Sequence, residues 1–417
     1  MGKLARGVAL IGAGMSKFGA FPDKTGRELF VEAYIDALNS VDKGIDNKDI
    51  EAMFLGNFSS DIFEGQGHNG PLMADWVGLT PKPVTRTEGA CASSGIAIRA
   101  GILAIASGLH DVVCVSGMEK MTDLPTSRVT DALAAASDVS YEFPAGATFP
   151  GLYAAIATAH MKKYGTTIRQ LRMVGIKNHN NGKLNPKAQF PITIKELMER
   201  RIAKLKEKGE PVPSWRDEMD FLEDPVSNPI VAWPLRLYDC SPITDGAAVL
   251  FLAAEEVAKK FTDTPIHIIG TGQGSAPFAL HNRPDITSLI SAREAAKMAY
   301  KMAGVDPKDI QVAEVHDCFT IAEIVATEDL GFFKPGEGGK AAEEGLTARD
   351  GEKPINTSGG LKSKGHPVGA SGAAQAVEIW KQLRGEAGPR QVPGVELGLT
   401  HNVGGTGATC AVHIYRR

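Results

Sequence analysis

Residues 44–50, Gly-Ile-Asp-Asn-Lys-Asp-Ile, return 260 positions later as Gly-Val-Asp-Pro-Lys-Asp-Ile, with five of seven residues identical. The copies sit in matching surroundings. Upstream, Ala9 to Gly14 (Ala-Leu-Ile-Gly-Ala-Gly) pairs with His267 to Gly272 (His-Ile-Ile-Gly-Thr-Gly) at an offset of 258. An Ala-rich helical stretch precedes each copy, Glu32 to Leu38 and Glu294 to Met302. An apolar run follows each, at Met53 and at Val312. Downstream, a glycine-rich turn opens an Ala-rich helix twice, over Gly89 to Ser107 and Gly359 to Leu383. A late strand in each half then ends in glycine, at Gly117 and at Gly404. A repeat of this length has to be built as two similar units.

Alternating strands and helices predict an α/β fold, a sheet covered by helices. Two such units predict a pair of halves related by a pseudo-twofold axis. The first half is longer than the second, and the surplus predicts an insertion. We place the N-terminal half at residues 1–118 and 238–258, the inserted loop subdomain at 119–237, and the C-terminal half at 259–417. The insertion has an Ala-rich helix at Gly151 to Tyr164 and a charged helix within Pro191 to Gly209, read as a solvated face.

Composition narrows the function classes. Net charge is 45 − 49 = −4, so no basic field argues for nucleic acid. No apolar run reaches the ~18–20 residues that span a bilayer, and no membrane is expected. Met1 to Arg6 lacks the apolar core of a signal peptide, so the expected compartment is the cytoplasm. Five dispersed cysteines suit neither a disulfide framework nor a CxxC zinc site. They leave room for reactive thiols, and no metal is expected.

Four segments could do chemistry. Cys91 stands in Gly89-Ala90-Cys91-Ala92-Ser93-Ser94-Gly95, where a glycine turn feeds a helix. Free amides and the helix dipole there are expected to lower the thiol pKa. His366 stands in the matching turn of the second half, a good place for a base. The two are expected to hold equivalent positions at the starts of matching helices, which a pseudo-twofold would bring together as nucleophile and base. His316-Asp317-Cys318-Phe319 follows a strand-like run; consecutive residues do not share a face, which argues against one metal ion there. Thr400-His401-Asn402-Val403-Gly404-Gly405 ends a strand in a glycine loop whose amides could serve an oxyanion.

In this order the four segments, together with Asp245-Gly246-Ala247-Ala248 and Gly365-His366-Pro367, resemble the thiolase family over nearly the whole chain. The His-Asp-Cys-Phe motif resembles the sterol-carrier-protein-2-type and archaeal branch. The resemblance implies a five-layered αβαβα fold of two halves, with a loop subdomain over the acyl-CoA pocket. It implies that Cys91 is the acylated nucleophile and that His366 takes its proton. Other thiolases have an Asn where His316 stands, and a second catalytic Cys where His401 stands. The acid/base thiol is therefore expected at Cys318, with His401 assisting it. Backbone amides of Cys91 and of the loop at Val403, Gly404 and Gly405 would form an oxyanion hole.

The implied reaction is CoA-dependent cleavage of a 3-oxoacyl-CoA, or the reverse Claisen condensation. CoA enters as a substrate, and no tightly bound cofactor is expected. Acetoacetyl-CoA is the default substrate; bulkier, branched or aromatic 3-oxoacyl-CoAs are the alternative. Competing readings are a thiolase-like carbon–carbon lyase, a ketosynthase-like condensing enzyme and a non-enzymatic acyl-CoA-binding scaffold. Expected partners are further copies of the chain, as a dimer or dimer of dimers, and a separate small subunit with a zinc ribbon and an OB-fold.

Overall fold

The chain is described by a computed structural model over residues 4–417. Residues 1–3, part of the segment read for a signal peptide, lie outside the described residues. The first half runs β1 (Val8–Met15), α1 (Gly26–Asn39), β2 (Ala52–Gly56), α2 (Asn69–Trp76), β3 (Val84–Thr87), α3 (Ser93–Ala106) and β4 (Val112–Glu119). Three long helices follow in the insertion: α4 (Phe149–Tyr164), α5 (Ile168–Lys183) and α6 (Ile194–Glu207). Strand β5 (Gly246–Ala254) returns to the first half. The second half runs β6 (Ile266–Ser275), α7 (Ile290–Ala303), β7 (Val312–Glu314), α8 (Thr320–Asp329), α9 (Ser371–Arg384), β8 (Leu397–Gly404) and β9 (Thr409–Arg416).

Nine strands hydrogen-bond in the order β3-β2-β4-β5-β1-β6-β9-β8-β7. The order is a palindrome about the β1–β6 junction, where Ala9 faces His267 and Leu10 faces Ile266. On either side, β5 and β9, β4 and β8, and β2 and β7 occupy matching places. Among the described residues, only β3 has no counterpart.

Every residue of β1, β4 and β5 is buried, as expected of strands covered on both faces. Three apolar clusters mark the layers. One joins α1 and α2 to the first half-sheet, and another joins α7 and α8 to the second. The third surrounds α3 and α9, sandwiched between the half-sheets. This is the αβαβα layering.

The repeat has a local cause. Asp46 and Asp306 each begin a 3-10 turn and receive the carboxylate of Asp49 or Asp309 on their own amides, at 2.9 and 2.8 Å. Gly44 and Gly304 precede these turns at φ +78° and +68°, where a Cβ is disfavoured. Equivalent glycines in β1 and β6 admit a helix close to the sheet. A Cβ on Gly14 would meet the Ala37 nitrogen at 2.2 Å, and one on Gly272 the Ala295 oxygen at 1.9 Å.

The charged helix α6 buries only Ile194, Met198 and Leu205 and leaves most of its charges in solvent. Helix α5 was not foreseen. Lys177, Asn178 and Asn181 are buried beneath the second half's glycine turn. Asn178 Nδ2 donates to Asp317 at 2.7 Å, Asn181 to the Asn356 carbonyl at 3.1 Å, and Lys177 pairs with Glu323 at 2.6 Å. Among the described residues, no helix is long and apolar enough to cross a membrane.

Candidate active site

Each half delivers a turn to the point where α3 and α9 begin. Cys91 lies in the 3-10 turn Ala90–Ala92 ahead of α3, half-buried, with Ala90 held at φ +51° beside it. His366 lies in a longer turn, between a π-helical coil at Gly360–Lys364 and a 3-10 turn at Val368–Ala370. His316 sits just past β7, with its side chain toward both. The sulfur of Cys91 and one ring nitrogen each of His316 and His366 lie within 4.8 Å of one another. The two rings meet edge to face, centroids 5.1 Å apart at 83°.

Cys91 and His366 converge, but they are not symmetry equivalents. Counted back from the helix starts at Ser93 and Ser371, the counterpart of Cys91 is Gly369. His366 stands three residues further upstream. The helix-dipole argument for the thiol also fails. Burial pushes the Cys91 thiol up to about 12, and the nearby carboxylate of Glu119 adds to this. The backbone amides of Gly405 and Cys91 pull the other way without prevailing. A dipole contribution of ~0.3–1 kcal/mol is small beside desolvation of an ion.

Hydrogen bonds assign the proton on His366. Ser371 Oγ donates to the Pro367 carbonyl at 3.0 Å, so at 2.6 Å it accepts from His366 Nδ1–H. The lone pair is then on Nε2. Burial, with Lys364 nearby, lowers the imidazole pKa to about 3, so the ring is neutral. Thr244 Oγ1 accepts the His366 backbone N–H at 2.9 Å.

The His-Asp-Cys stretch is irregular backbone past the end of β7. Asp317 turns away to accept the Leu361 amide at 2.6 Å and the Lys362 amide at 3.3 Å, which anchors the coil ahead of His366. Cys318 faces Tyr153 of α4. Burial comes first among the causes that hold the Cys318 thiol well above its ordinary range.

Tyr153 Oη donates to the Gly405 carbonyl at 3.0 Å, so it steadies the residue whose own amide addresses Cys91. Val403 and Gly404 remain in register with Cys410 and Thr409 of β9. His401 does not reach Cys318 by any hydrogen bond; its Nδ1 accepts the His316 backbone N–H at 3.4 Å.

Asn402, Ser371, Tyr153 and Glu119 were missed as site residues. Glu119, at the end of β4, accepts amides of Phe58 at 2.8 Å, Ser59 at 3.0 Å and Gly369 at 3.1 Å, tying the loop after β2 to the second half's turn. A cavity of about 420 Å³ adjoins Gly89, Ala90, Gly404 and Gly405 and is walled by Phe58, Ala136 and Phe278. A larger one, about 550 Å³, lies between Lys24, Arg27 and Glu64 and touches none of these catalytic candidates.

A thiol, a neutral imidazole and converging backbone amides on a pseudo-twofold α/β scaffold are the groups that covalent acyl transfer requires. Comparison with known proteins agrees. Residues 8–256 match the thiolase N-terminal domain and residues 272–417 the thiolase C-terminal domain-like family. An acetyl-CoA acetyltransferase of Methanothermobacter thermautotrophicus is 48% identical over 99% of this chain and 100% of its own. A benzoylsuccinyl-CoA thiolase subunit of Thauera aromatica is 33% identical, covering 97% of this chain and 96% of that protein. Bovine sterol carrier protein 2 is 32% identical over 98% of this chain and 72% of its own length. Human mitochondrial 3-ketoacyl-CoA thiolase in complex with CoA superposes with a TM-score of 0.70 at 18% identity, covering 100% and 99% of the two chains. The chain belongs to the thiolase family and is an acyltransferase of the thiolase type.

Proposed function

We propose that the protein exchanges acyl groups between a 3-oxoacyl-CoA and CoA through an acyl-Cys91 intermediate, with acetoacetyl-CoA as the substrate. The observation behind this reading is the Cys91–His316–His366 cluster, in which His366 offers an unprotonated Nε2 beside the thiol. His366 takes the Cys91 proton as sulfur attacks the 3-oxo carbon. Amides of Cys91 and Gly405 receive the oxyanion. The C2–C3 bond breaks, and its electron pair passes into the enolate of the departing acyl-CoA. Cys318 gives that enolate a proton at C2. CoA then gives its thiol proton to the Cys318 thiolate and attacks the acyl-Cys91 carbonyl, and the departing Cys91 sulfur takes back the proton held by His366.

Acetoacetyl-CoA is favoured by 48% identity to an acetyl-CoA acetyltransferase over essentially the full length. The 420 Å³ cavity beside Cys91 leaves space for larger acyl groups, and one relative is named for benzoylsuccinyl-CoA. A thiolysis panel running from acetoacetyl-CoA to aromatic 3-oxoacyl-CoAs tests the choice. The highest kcat/KM on acetoacetyl-CoA supports it, and turnover of aromatic substrates alone overturns it.

We extend the proposal to assembly. The chain works as a homo-oligomer with a separate small subunit bearing a zinc ribbon and an OB-fold. One relative is itself named as a subunit, and a solved neighbour is a complex with a DUF35 protein. Native mass spectrometry of the protein purified from its own cells tests this.

A further inference from the structure

We propose that Tyr153 is the positioning residue of Cys318, its hydroxyl a single donor that rests on the Gly405 carbonyl and turns to the Cys318 sulfur once that sulfur is a thiolate. The role in turnover rests on the thiolase reading, which makes Cys318 the proton donor to the enolate; the contact between hydroxyl and sulfur does not. Three distant segments meet here. Tyr153 comes from α4 in the insertion, Cys318 from the chain past β7 and Gly405 from the loop after β8. Tyr153 Oη donates to the Gly405 carbonyl at 3.0 Å and lies within hydrogen-bonding reach of the Cys318 sulfur. A carbonyl oxygen can only accept, so at rest the phenol proton points to Gly405 and Oη turns a lone pair to the sulfur. A neutral S–H thiol suits that lone pair. A thiolate needs the proton instead.

Packing holds the heavy atoms and leaves the O–H bond free to rotate. The Tyr153 ring stacks on Phe319, with centroids 4.7 Å apart at 29°. The Cys318 carbonyl accepts the Ser241 amide at 2.9 Å, and Phe319 pairs with Cys240 beside it. Tyr153 is buried, and burial comes first among the causes that hold its phenol well above the ordinary range. The group therefore keeps its proton and acts as a donor, not as a base.

A buried thiolate at Cys318 needs such a donor. Burial raises this thiol most; the Tyr153 hydroxyl and the Phe319 amide pull it down. His401 is turned elsewhere, its Nδ1 accepting the His316 amide. Once the enolate has taken the Cys318 proton, the sulfur stays anionic until CoA supplies another. A hydroxyl that turns from a neutral carbonyl to an anion gains a charge-assisted hydrogen bond, roughly twice as strong. No covalent bond is made or broken in the turn.

The test is Tyr153→Phe in the full chain, which keeps the ring and its stack on Phe319 and removes only the hydroxyl. Solvent deuterium exchange at C2 of acetyl-CoA reads Cys318, and the rate of adduct formation reads Cys91. Exchange should fall about 10–100-fold, the worth of a hydrogen bond to a charged group, and its rise with pH should move up by about one pH unit. Adduct formation should stay close to wild type. A merely structural tyrosine would act on Cys91 through Gly405, so a parallel fall in both rates overturns the proposal, as does unchanged exchange. Peptide mapping after iodoacetamide treatment needs no turnover. Near pH 9, Cys318 should be alkylated about 10-fold more slowly in Tyr153→Phe than in the wild-type protein. An equal or faster rate overturns the contact. A wild-type protein that forms no adduct and exchanges no C2 hydrogen, but shows this difference in alkylation, would defeat the thiolase reading and leave the hydroxyl–sulfur bond standing.

Discussion

The two glycine turns occupy matching places in their halves, yet only one has a nucleophile. Both run through a 3-10 turn into a helix that starts with serine, Ser93 or Ser371. Each helix has its third amide capped from the opposite half. Asn402 Oδ1 caps Gly95 at 3.2 Å, and Ser94 Oγ caps Ala373 at 3.0 Å. The difference lies in what surrounds the turn. At Gly369, the counterpart of Cys91, a Cβ would stand 2.6 Å from Glu119 Oε2 and 2.7 Å from the Met118 carbonyl. No side chain fits there. The second half instead lengthens its turn and presents His366 three residues earlier. Pseudo-symmetry brings the turns together; departures from it divide the chemistry.

The sharpest way to break this comparison is to remove one side of it. Cys91→Ala should lower thiolysis by on the order of 10⁴–10⁶-fold, since the covalent route is lost. Intact-mass analysis after acetyl-CoA exposure should show no acyl adduct. An adduct on another residue would remove Cys91 from its role. His366→Ala should cost about 10²–10⁴-fold, the range for a general base, and should slow adduct formation in step with turnover.

Cys318 divides the two half-reactions. Cys318→Ala should leave acylation of Cys91 by acetyl-CoA measurable. Condensation and 3-oxoacyl-CoA cleavage should fall by about 10²–10⁴-fold, because the enolate loses its proton partner. Solvent deuterium exchange at C2 of acetyl-CoA reads the missing step directly. Exchange at the wild-type rate would assign the proton transfer elsewhere.

The pH dependence tests whether the two turns form an ion pair at rest. Burial moves Cys91 up to about 12 and His366 down to about 3, so both shifts favour neutral thiol and neutral imidazole. Raising a thiol pKa reduces its thiolate at any pH below that value. Iodoacetamide should therefore alkylate Cys91 about 10²-fold more slowly than a free thiol at pH 8, with a rate still rising above pH 9. A rate already flat between pH 5 and 8 would mean a standing thiolate–imidazolium pair.

Much of this was legible in residue order. The repeat placed β1, α1, α3 and their counterparts, and four short segments named Cys91, His316, Cys318 and His366. Helix α5 was not legible, because its buried face is polar. Arg172, Lys177 and Asn178 satisfy Asp239, Glu323 and Asp317, so hydrophobic spacing gives no signal. The thiol shift was misjudged because local position near a helix start says nothing about how much of the chain closes over it. Asn402 was within a quoted segment, but its role depends on contacts with Gly95 and Cys91, more than 300 residues away.

The smallest effect separates capping from chemistry. Ser94 and Asn402 each cap the helix of the opposite half at the same position, but Ser94 touches neither histidine ring nor thiol through a hydrogen bond. Its Oγ accepts the Ala373 amide inside a buried helix junction. Ser94→Ala should therefore cost about 1 kcal/mol of stability, as a lost cap does, read as a lower urea midpoint at constant slope. Turnover should stay close to wild type, since α9 remains clamped by Gln375, whose Nε2 donates to the His401 carbonyl at 3.0 Å. A large fall in kcat with little change in midpoint would show that Ser94, like Asn402 on the Cys91 carbonyl, sets the geometry of the site as well as capping a helix. The two caps would then be alike in function as well as in place.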